Sequence, residues 1–558
     1  TYSGATTVSA GTLNVSSASA LGSSASGTNV SGTGFVNVAA GIATSEPLTI
    51  DAGRSANLST GAAINGAVSL AGSISGGVGS ALNGDITLTG ANAQFTMLAS
   101  PGTMTVSGSI TDGGQGYGLT LLTTGSTANI ELASTANSYG GTTKLDGVGN
   151  LVLGASGVIP DTSRVEFLAS TATFDLNGND ETIGSLAGAG AVALGSANLN
   201  TGGDNTSTVS TGIIAGSGSL TKSGTGQFTL WAANTYTGAT TVTEGTLMAR
   251  TATALGAIDQ GTVVANGASL AFYGAFTSSE DVSVGGIGSG VGGALLLSDG
   301  FTLDGDVTLT DTSRISIQNS NSSSTISGSI GDGGNAYGIE FQTWDSTRTI
   351  TLSGTNTYGG STLVLGGGTL EVTNASAIPP TSAVSISGAS TTLSLTSADL
   401  TIGSLNGAGN LVLSSSTLTV GGNDTPSIYS GVIGGDGALV KTGTGSLELT
   451  AANTYTGPTT LLTGTTGSTF TLSPVGSSIQ VEDTGNSRTL FVTQAANPSD
   501  LTIAAADNQD DTLIVDYSGG EPALGGTVTF DGGVGGNDTL QILSPSGSLN
   551  QKFEFTGD

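Results

Sequence analysis

The sequence predicts an all-β chain wound into a parallel β-helix, a β-solenoid drawn out as a rod. Three observations point there. Short runs alternate apolar residues with Ser, Thr or Asn over four to six positions and stop at Gly, Asn or Asp, which is strand periodicity with turn punctuation. No stretch shows a sustained helical period with caps, so no helix is expected. A tyrosine-bearing phrase also recurs at fixed distances, the mark of a repeat architecture.

The expected strands run the length of the chain. They include GTLNV (Gly11–Val15), GFVNV (Gly34–Val38), GAVSL (Gly66–Leu70), DITLTG (Asp85–Gly90), TMTVSG (Thr103–Gly108) and NLVLG (Asn150–Gly154). DVTLTD (Asp306–Asp311), RISIQ (Arg314–Gln318), TITLSG (Thr349–Gly354) and DTLIVDY (Asp511–Tyr517) continue the pattern. Such strands could build sandwiches or a propeller, but a blade would repeat every 40–50 residues or so. Coils of roughly 20 residues, free to vary in length while their strands stay in register, fit better. About 25 coils at a strand spacing of about 4.8 Å would make a rod of about 120 Å.

The recurring phrase reads TYSGATTVSAGTL at Thr1–Leu13, NSYGGTTKLDG at Asn137–Gly147, NTYTGATTVTEGTL at Asn234–Leu247, NTYGGSTLVLGGGTL at Asn356–Leu370 and NTYTGPTTL at Asn453–Leu461. The interval from Tyr139 to Tyr236 equals that from Tyr358 to Tyr455, and the interval from Tyr139 to Tyr358 equals that from Tyr236 to Tyr455. SGSITDGGQGYG (Ser107–Gly118) returns as SGSIGDGGNAYG (Ser327–Gly338), and TIGSLAGAG (Thr182–Gly190) as TIGSLNGAG (Thr401–Gly409). A long block has been duplicated, and the first stretch carries about fifteen extra residues, an insertion that a stacked array absorbs in a loop. Asn in N-T-Y-x-G is expected to take a left-handed corner and bond to neighbouring turns, and Tyr to cover the corner with its hydroxyl in water. Sugar stacking on these tyrosines is the functional alternative.

Composition narrows the function. The chain has 93 glycines and 9% charged residues, but its 36% hydrophobic content provides the apolar material that disordered chains lack. A net charge of −30 excludes nucleic acid as a partner and disfavours anionic lipid. The absence of cysteine rules out disulfides and thiolate metal sites, and the absence of histidine removes the usual general base. No apolar run is long enough to span a membrane as a helix. The first residues already lie within a repeat phrase, as expected of a processed or fragmentary mature chain.

SGVIGGDGALVKTGTGSLELTAANTYTGPTTL (Ser430–Leu461) and TGIIAGSGSLTKSGTGQFTLWAANTYTGATTVTEGTL (Thr211–Leu247) resemble the autotransporter-associated β-strand repeat, also called the passenger-associated transport repeat. With the weaker copies around Tyr2, Tyr139 and Tyr358, the resemblance covers about four fifths of the chain, to about Thr466. It implies a right-handed parallel β-helix exported to the bacterial surface, with no catalytic residues. The outer-membrane barrel that follows such repeats in autotransporters has no counterpart in the last ninety or so residues. DNQDDTLIVDYSGG (Asp507–Gly520) and FDGGVGGNDTLQIL (Phe530–Leu543) resemble instead the giant secreted proteins of planctomycete-like bacteria. The expected organisation is a repeat solenoid over 1–466 and an acidic Gly/Asp-rich β segment over 467–558 that continues it.

Two kinds of site come into question. GGVGGNDTL (Gly532–Leu540) is similar to the calcium-binding nonapeptide of RTX proteins, with one residue too many before its aspartate, and NQDDTL (Asn508–Leu513) could be the preceding turn. Calcium would be held by Asp510, Asp511, Asp531 and Asp538; the bland reading is a solvated acidic corner. Polysaccharide lyases share the β-helix, so the fold is compatible with an enzyme, but with no histidine its site would have to come from four lysines and six arginines. Lys222 and Lys441 fall at equivalent repeat positions and match the repeat's own lysine, and Arg164 and Arg314 each follow an Asp-Thr-Ser turn. No catalytic constellation emerges. The expected function is therefore a non-enzymatic extracellular structural protein of a bacterial surface that self-associates into filaments, the alternative being an adhesin that contacts a cell surface or carbohydrate.

Overall fold

The computed structural model describes residues 2–290, 292–298, 300–318, 322–464, 467–494, 500–520, 526–543 and 553–556. Among them there is no α-helix, and apart from one three-stranded insertion every strand pairs in parallel, as the alternating pattern predicts. The chain forms two compact units, Thr1–Ala271 and Phe272–Asp558, each a parallel β-solenoid. The expected boundary at Thr466 lies outside the described residues.

In the first unit the alternation of each short strand sends every second side chain inward, and parallel stacking lines these up in rows. One row runs Val36, Ala56, Ile74, Phe95, Leu121, Leu145, Phe167, each paired in register with the next. A second row, on another sheet, runs Ile64, Leu82, Val106, Leu132, Leu153. All of these are buried. Burial of each large side chain contributes about 1.5–3 kcal/mol, so truncating one, as in Leu132→Ala, costs about 2–5 kcal/mol through the cavity left between rungs. The second unit has the same construction, with Ile326, Leu352, Val372, Leu395 and Leu413 in one row.

Corners are tight because backbones cross them in van der Waals contact. A Cβ on Gly84 would lie 2.1 Å from the carbonyl oxygen of Gly66, and one on Gly108 1.9 Å from that of Gly84. The column Gly305, Gly328, Gly354 repeats the arrangement at 2.0 and 2.1 Å. Only glycine permits this approach, whatever its φ. Outside, polar side chains form their own ladders: the Asn37 amide donates to Asn14 at 3.0 Å and the Asn57 amide to Asn37 at 2.8 Å.

The segment after the last repeat phrase departs from simple coiling. Strands Thr469–Val475, Ser478–Asp483 and Arg488–Gln494 form an antiparallel meander. Its first turn is the pair of residues between the partnered Val475 and Ser478, with Gly476 at φ 64°, the kind of left-handed position that lets a tight hairpin follow strand twist. Parallel stacking then resumes: Leu501–Ala504 pairs with Thr459–Leu462, and Val528–Asp531 with Leu501–Ala504.

Candidate functional site

The repeat phrase builds a buried corner. Asn137 accepts a hydrogen bond from the Ile110 amide at 2.7 Å and donates to the Val158 carbonyl at 2.7 Å, joining the coil before it to the coil after it. Asn234 bonds Ile214 and Ala254 in the same way, and Asn356 bonds Ile330 and Ala377. Asn453 accepts from Ile433 at 2.8 Å. The expected bonding between turns is there, but none of the four asparagines has the expected left-handed backbone; the side chain acts as a staple between coils, which needs only an ordinary backbone.

The tyrosines correct a second expectation. Tyr139, Tyr236, Tyr358 and Tyr455 are buried, and each hydroxyl bonds the threonine four residues on, Thr143, Thr240, Thr362 and Thr459, at 2.6–2.7 Å. The Thr143 hydroxyl lies 3.0 Å from that of Ser163, which donates to the Gly141 carbonyl; Thr362, Ser382 and Gly360 repeat this chain in the second copy. The four rings fill the inside of the corner, where a threonine satisfies the hydroxyl that water was expected to reach. They offer no face to a sugar. Tyr2 is exposed, and its hydroxyl keeps the bond to the threonine, Thr6.

The charged residues of the repeat are also spent on the scaffold. Lys222 Nζ donates to the carbonyls of Ser223, Gly224 and Glu244 at 2.6, 2.7 and 3.2 Å, and Lys441 donates to those of Thr442 and Gly443. Burial pushes both ammonium groups down to about 8. Asp112 accepts the amides of Gly114, Tyr117 and Gly140, and Asp332 those of Gly334, Tyr337 and Gly359. Burial raises these two carboxyls, but the amide donors outweigh it and hold them below the usual range. Glu181 breaks the duplication, since Leu400 stands at the equivalent position. Its carboxylate is buried and accepts the Val158 and Ile159 amides at 3.1 Å each.

The four calcium candidates fall on stacked turns of the C-terminal segment. Asp538 accepts the Asp511 amide at 3.0 Å, Asp510 the Asn537 amide at 2.7 Å, Asp511 the Ser468 amide at 2.6 Å and Asp531 the Gly533 amide at 3.2 Å. Asp511 is buried with Oδ2 unpaired, and burial, then the charges of Asp538, Asp510 and Asp483, raise its carboxyl. Among the described residues no three acids converge as a metal-holding group. The geometry brings Asp510, Asp511 and Asp538 onto neighbouring rungs; Asp531 pairs with Ala504 on a separate sheet.

Two shallow polar grooves on the first unit were not anticipated from the sequence. One, of 250 Å³, is lined by Arg54, Ser73, Asn92 and Gln94; the other, of 220 Å³, by Tyr117, Thr120, Thr142 and Lys144. Gln94 and Thr120 are register partners, so the grooves meet on one sheet face. The only trace in the sequence was the DGGQGYG phrase that carries Tyr117, which repeats without revealing what its loop overhangs.

The passenger-associated transport repeat model matches residues 1–15, 220–249, 347–372 and 439–466. The chain carries passenger-associated transport repeats. The matched stretches contain Lys222, Tyr236, Tyr358, Lys441 and Tyr455, the buried corner residues described above; the copy around Tyr139 is not among them, and together they make up under a fifth of the chain. Over 360 residues the chain is 29% identical to a protein named Adhesin BmaC autotransporter, from Brucella suis biovar 1 (strain 1330). That match covers 60% of this repeat-bearing chain and spans about 10% of the adhesin's length. No solved structure matches.

Proposed function

We infer that this chain is a non-enzymatic length of exported passenger that works outside the cell, at a bacterial surface, as an adhesin. One observation carries the reading: the recurrent polar residues of the repeat, Asn, Tyr, Thr and Lys, are buried and bonded within the corner, so what recurs is scaffold. What meets the outside is the outward row of each strand, a long surface for contact with many weak points. The named adhesin supports the same direction by similarity. Saturable binding of the purified chain to cell surfaces, competed by its own soluble form, is the expected result; no saturable binding to any cell or matrix surface would overturn the reading.

A filament-forming structural role is the second reading, and one feature favours it. Val209 and Ile213 are exposed on the outside of the first copy, and Ile428 and Val432 are exposed at the equivalent positions of the second. Apolar side chains displayed at duplicated positions could pack one copy of the chain beside another, once salt screens the net charge of −30. Light scattering across a salt series, on the chain and on Ile213→Lys/Ile428→Lys, tests it: growth with salt that the variant lacks supports assembly, and a monomer at every salt concentration rejects it.

A further inference from the structure

We propose that the outward face of the Arg54-to-Lys144 stretch is a binding site for a linear acidic polysaccharide, gripped near its ends by these two cations. The proposal rests on the adhesive reading and names the ligand class for it. Its starting point is an imbalance. The chain has 40 acids and only 10 Lys and Arg, so a cation at its surface has acids in abundance to pair with. Arg348 and Arg488 each pair with an acid a few positions away, and Arg314 with Glu340 on the next rung. Arg54 and Lys144 do not: each is half-buried in the wall of a groove, and among the described residues neither side chain has a hydrogen bond or an ion pair.

The strip between them is built to one purpose by register. Ser55, which follows Arg54, pairs with Ser73, Ser73 with Gln94, Gln94 with Thr120, and Thr120 with Lys144. The two cations are thus four rungs apart, about 19 Å at the strand spacing. Every outward side chain on the strands between carries a hydroxyl, an amide or no polar group, and none carries a charge. Acids flank the strip at both ends: Asp51 ahead of Arg54, Asp146 further along the Lys144 strand, and Glu166, the register partner of Lys144 on the next rung, with Arg164 two residues before it. A ligand lying here meets one cation near each end, with an acid beyond it, and a neutral hydrogen-bonding floor between them.

That profile selects the ligand. A broad polyanion such as a nucleic acid duplex or an anionic bilayer would overlap the surrounding acids and be repelled. A single extended glycan is narrow enough to lie within the strip, and its rise per sugar is of the same order as the rise per rung, so its hydroxyls can meet successive Ser, Gln and Thr side chains. Carboxylate or sulfate groups on it would pair with Arg54 and Lys144, the guanidinium offering a bidentate fork. Tyr117, whose hydroxyl has no partner among the described residues, supplies an amphipathic ring at the Lys144 end.

The test uses the full chain with polygalacturonate for carboxylate, dextran sulfate for sulfate, plain dextran as the neutral control and phosphatidylserine vesicles as the rival surface. The expected result is saturable binding to one or both acidic polysaccharides, absent with dextran, weakened by salt and weakened about tenfold in Arg54→Gln/Lys144→Gln. Since neither side chain holds a partner, the double variant should melt as the parent does, which separates lost binding from lost folding. Binding to neither polyanion, equal binding by the double variant, or preference for the vesicles would overturn the proposal. Cell adhesion separates it from the broader reading: adhesion by a chain that binds neither acidic polysaccharide sinks the polysaccharide site alone, and polysaccharide binding without adhesion sinks the adhesin alone.

Discussion

Glu181→Gln tests whether a buried charge sets the pH response of the first unit. The Glu181 carboxylate is 2% exposed, holds the Val158 and Ile159 amides at 3.1 Å each, and is pushed by burial from 4.5 up to about 7. A carboxyl whose folded pKa lies above its unfolded one binds its proton more tightly when folded. Its contribution is therefore intact below about pH 4.5 and declines as pH rises toward 7, with the full loss reached above that. A shift of that size corresponds to about 3 kcal/mol. Glutamine cannot ionise, but its NH2 faces one of the two amides that the carboxylate accepts, a cost of about 1–3 kcal/mol at every pH; against that offset the variant should gain about 2–3 kcal/mol on the parent between pH 4.5 and pH 8. A stacked array need not unfold in one step, so a local readout is preferable to a global melt. Hydrogen exchange at residues 155–165, corrected for the intrinsic pH dependence, should show the protection of the variant relative to the parent rise on the order of a hundredfold from pH 5 to pH 8. A difference that does not change with pH would refute the reasoning.

Tyr139→Phe and Tyr358→Phe should each cost about 1–2 kcal/mol in urea melts, because each strands a buried threonine–serine pair in the same hydrogen-bonded chain; markedly unequal costs would break the equivalence of the two copies. Asn356→Ala removes the partners of the Ile330 amide and the Ala377 carbonyl and should destabilise by about 2–4 kcal/mol, seen as a lowered denaturation midpoint. Lys222 and Lys441 have their folded pKa lowered to about 8, so the parent should gain stability as pH rises from about 8 toward 10.5; Lys222→Met should lose the Lys222 share of that gain, and Lys222→Met/Lys441→Met nearly all of it, in melts across the same range. In calcium-free buffer, Asp511→Asn should stabilise the C-terminal segment by removing a buried charge that faces Asp538, Asp510 and Asp483, and millimolar calcium should raise the melting temperature of the parent but not of the variant. Identical parent melts with calcium and with chelator would reject calcium at Asp510, Asp511, Asp531 and Asp538.

Whatever depends on local geometry could be read from the amino-acid order alone. Alternation with period two is a property of each strand by itself, so GAVSL, TMTVSG and RISIQ announce their inward residues without knowledge of their neighbours, and Val68, Met104 and Ile315 are buried accordingly. Duplication is equally legible, since Tyr139 and Tyr358 had to meet like surroundings once like phrases were seen to recur at one interval. Which residues meet across coils was not legible. The step from one rung to the next is much shorter between Ser55 and Ser73 than between Gln94 and Thr120, so no fixed spacing tells that Arg54 and Lys144 share a face, or that Glu181 reaches Val158 and Ile159. The same holds for the tyrosine hydroxyls, sent to water by a reading of the corner alone and taken instead by a threonine within it. Nor could strand pattern separate the antiparallel meander at 469–494 from another coil, because period two is common to both pairings and only the closure of the Gly476 turn decides between them.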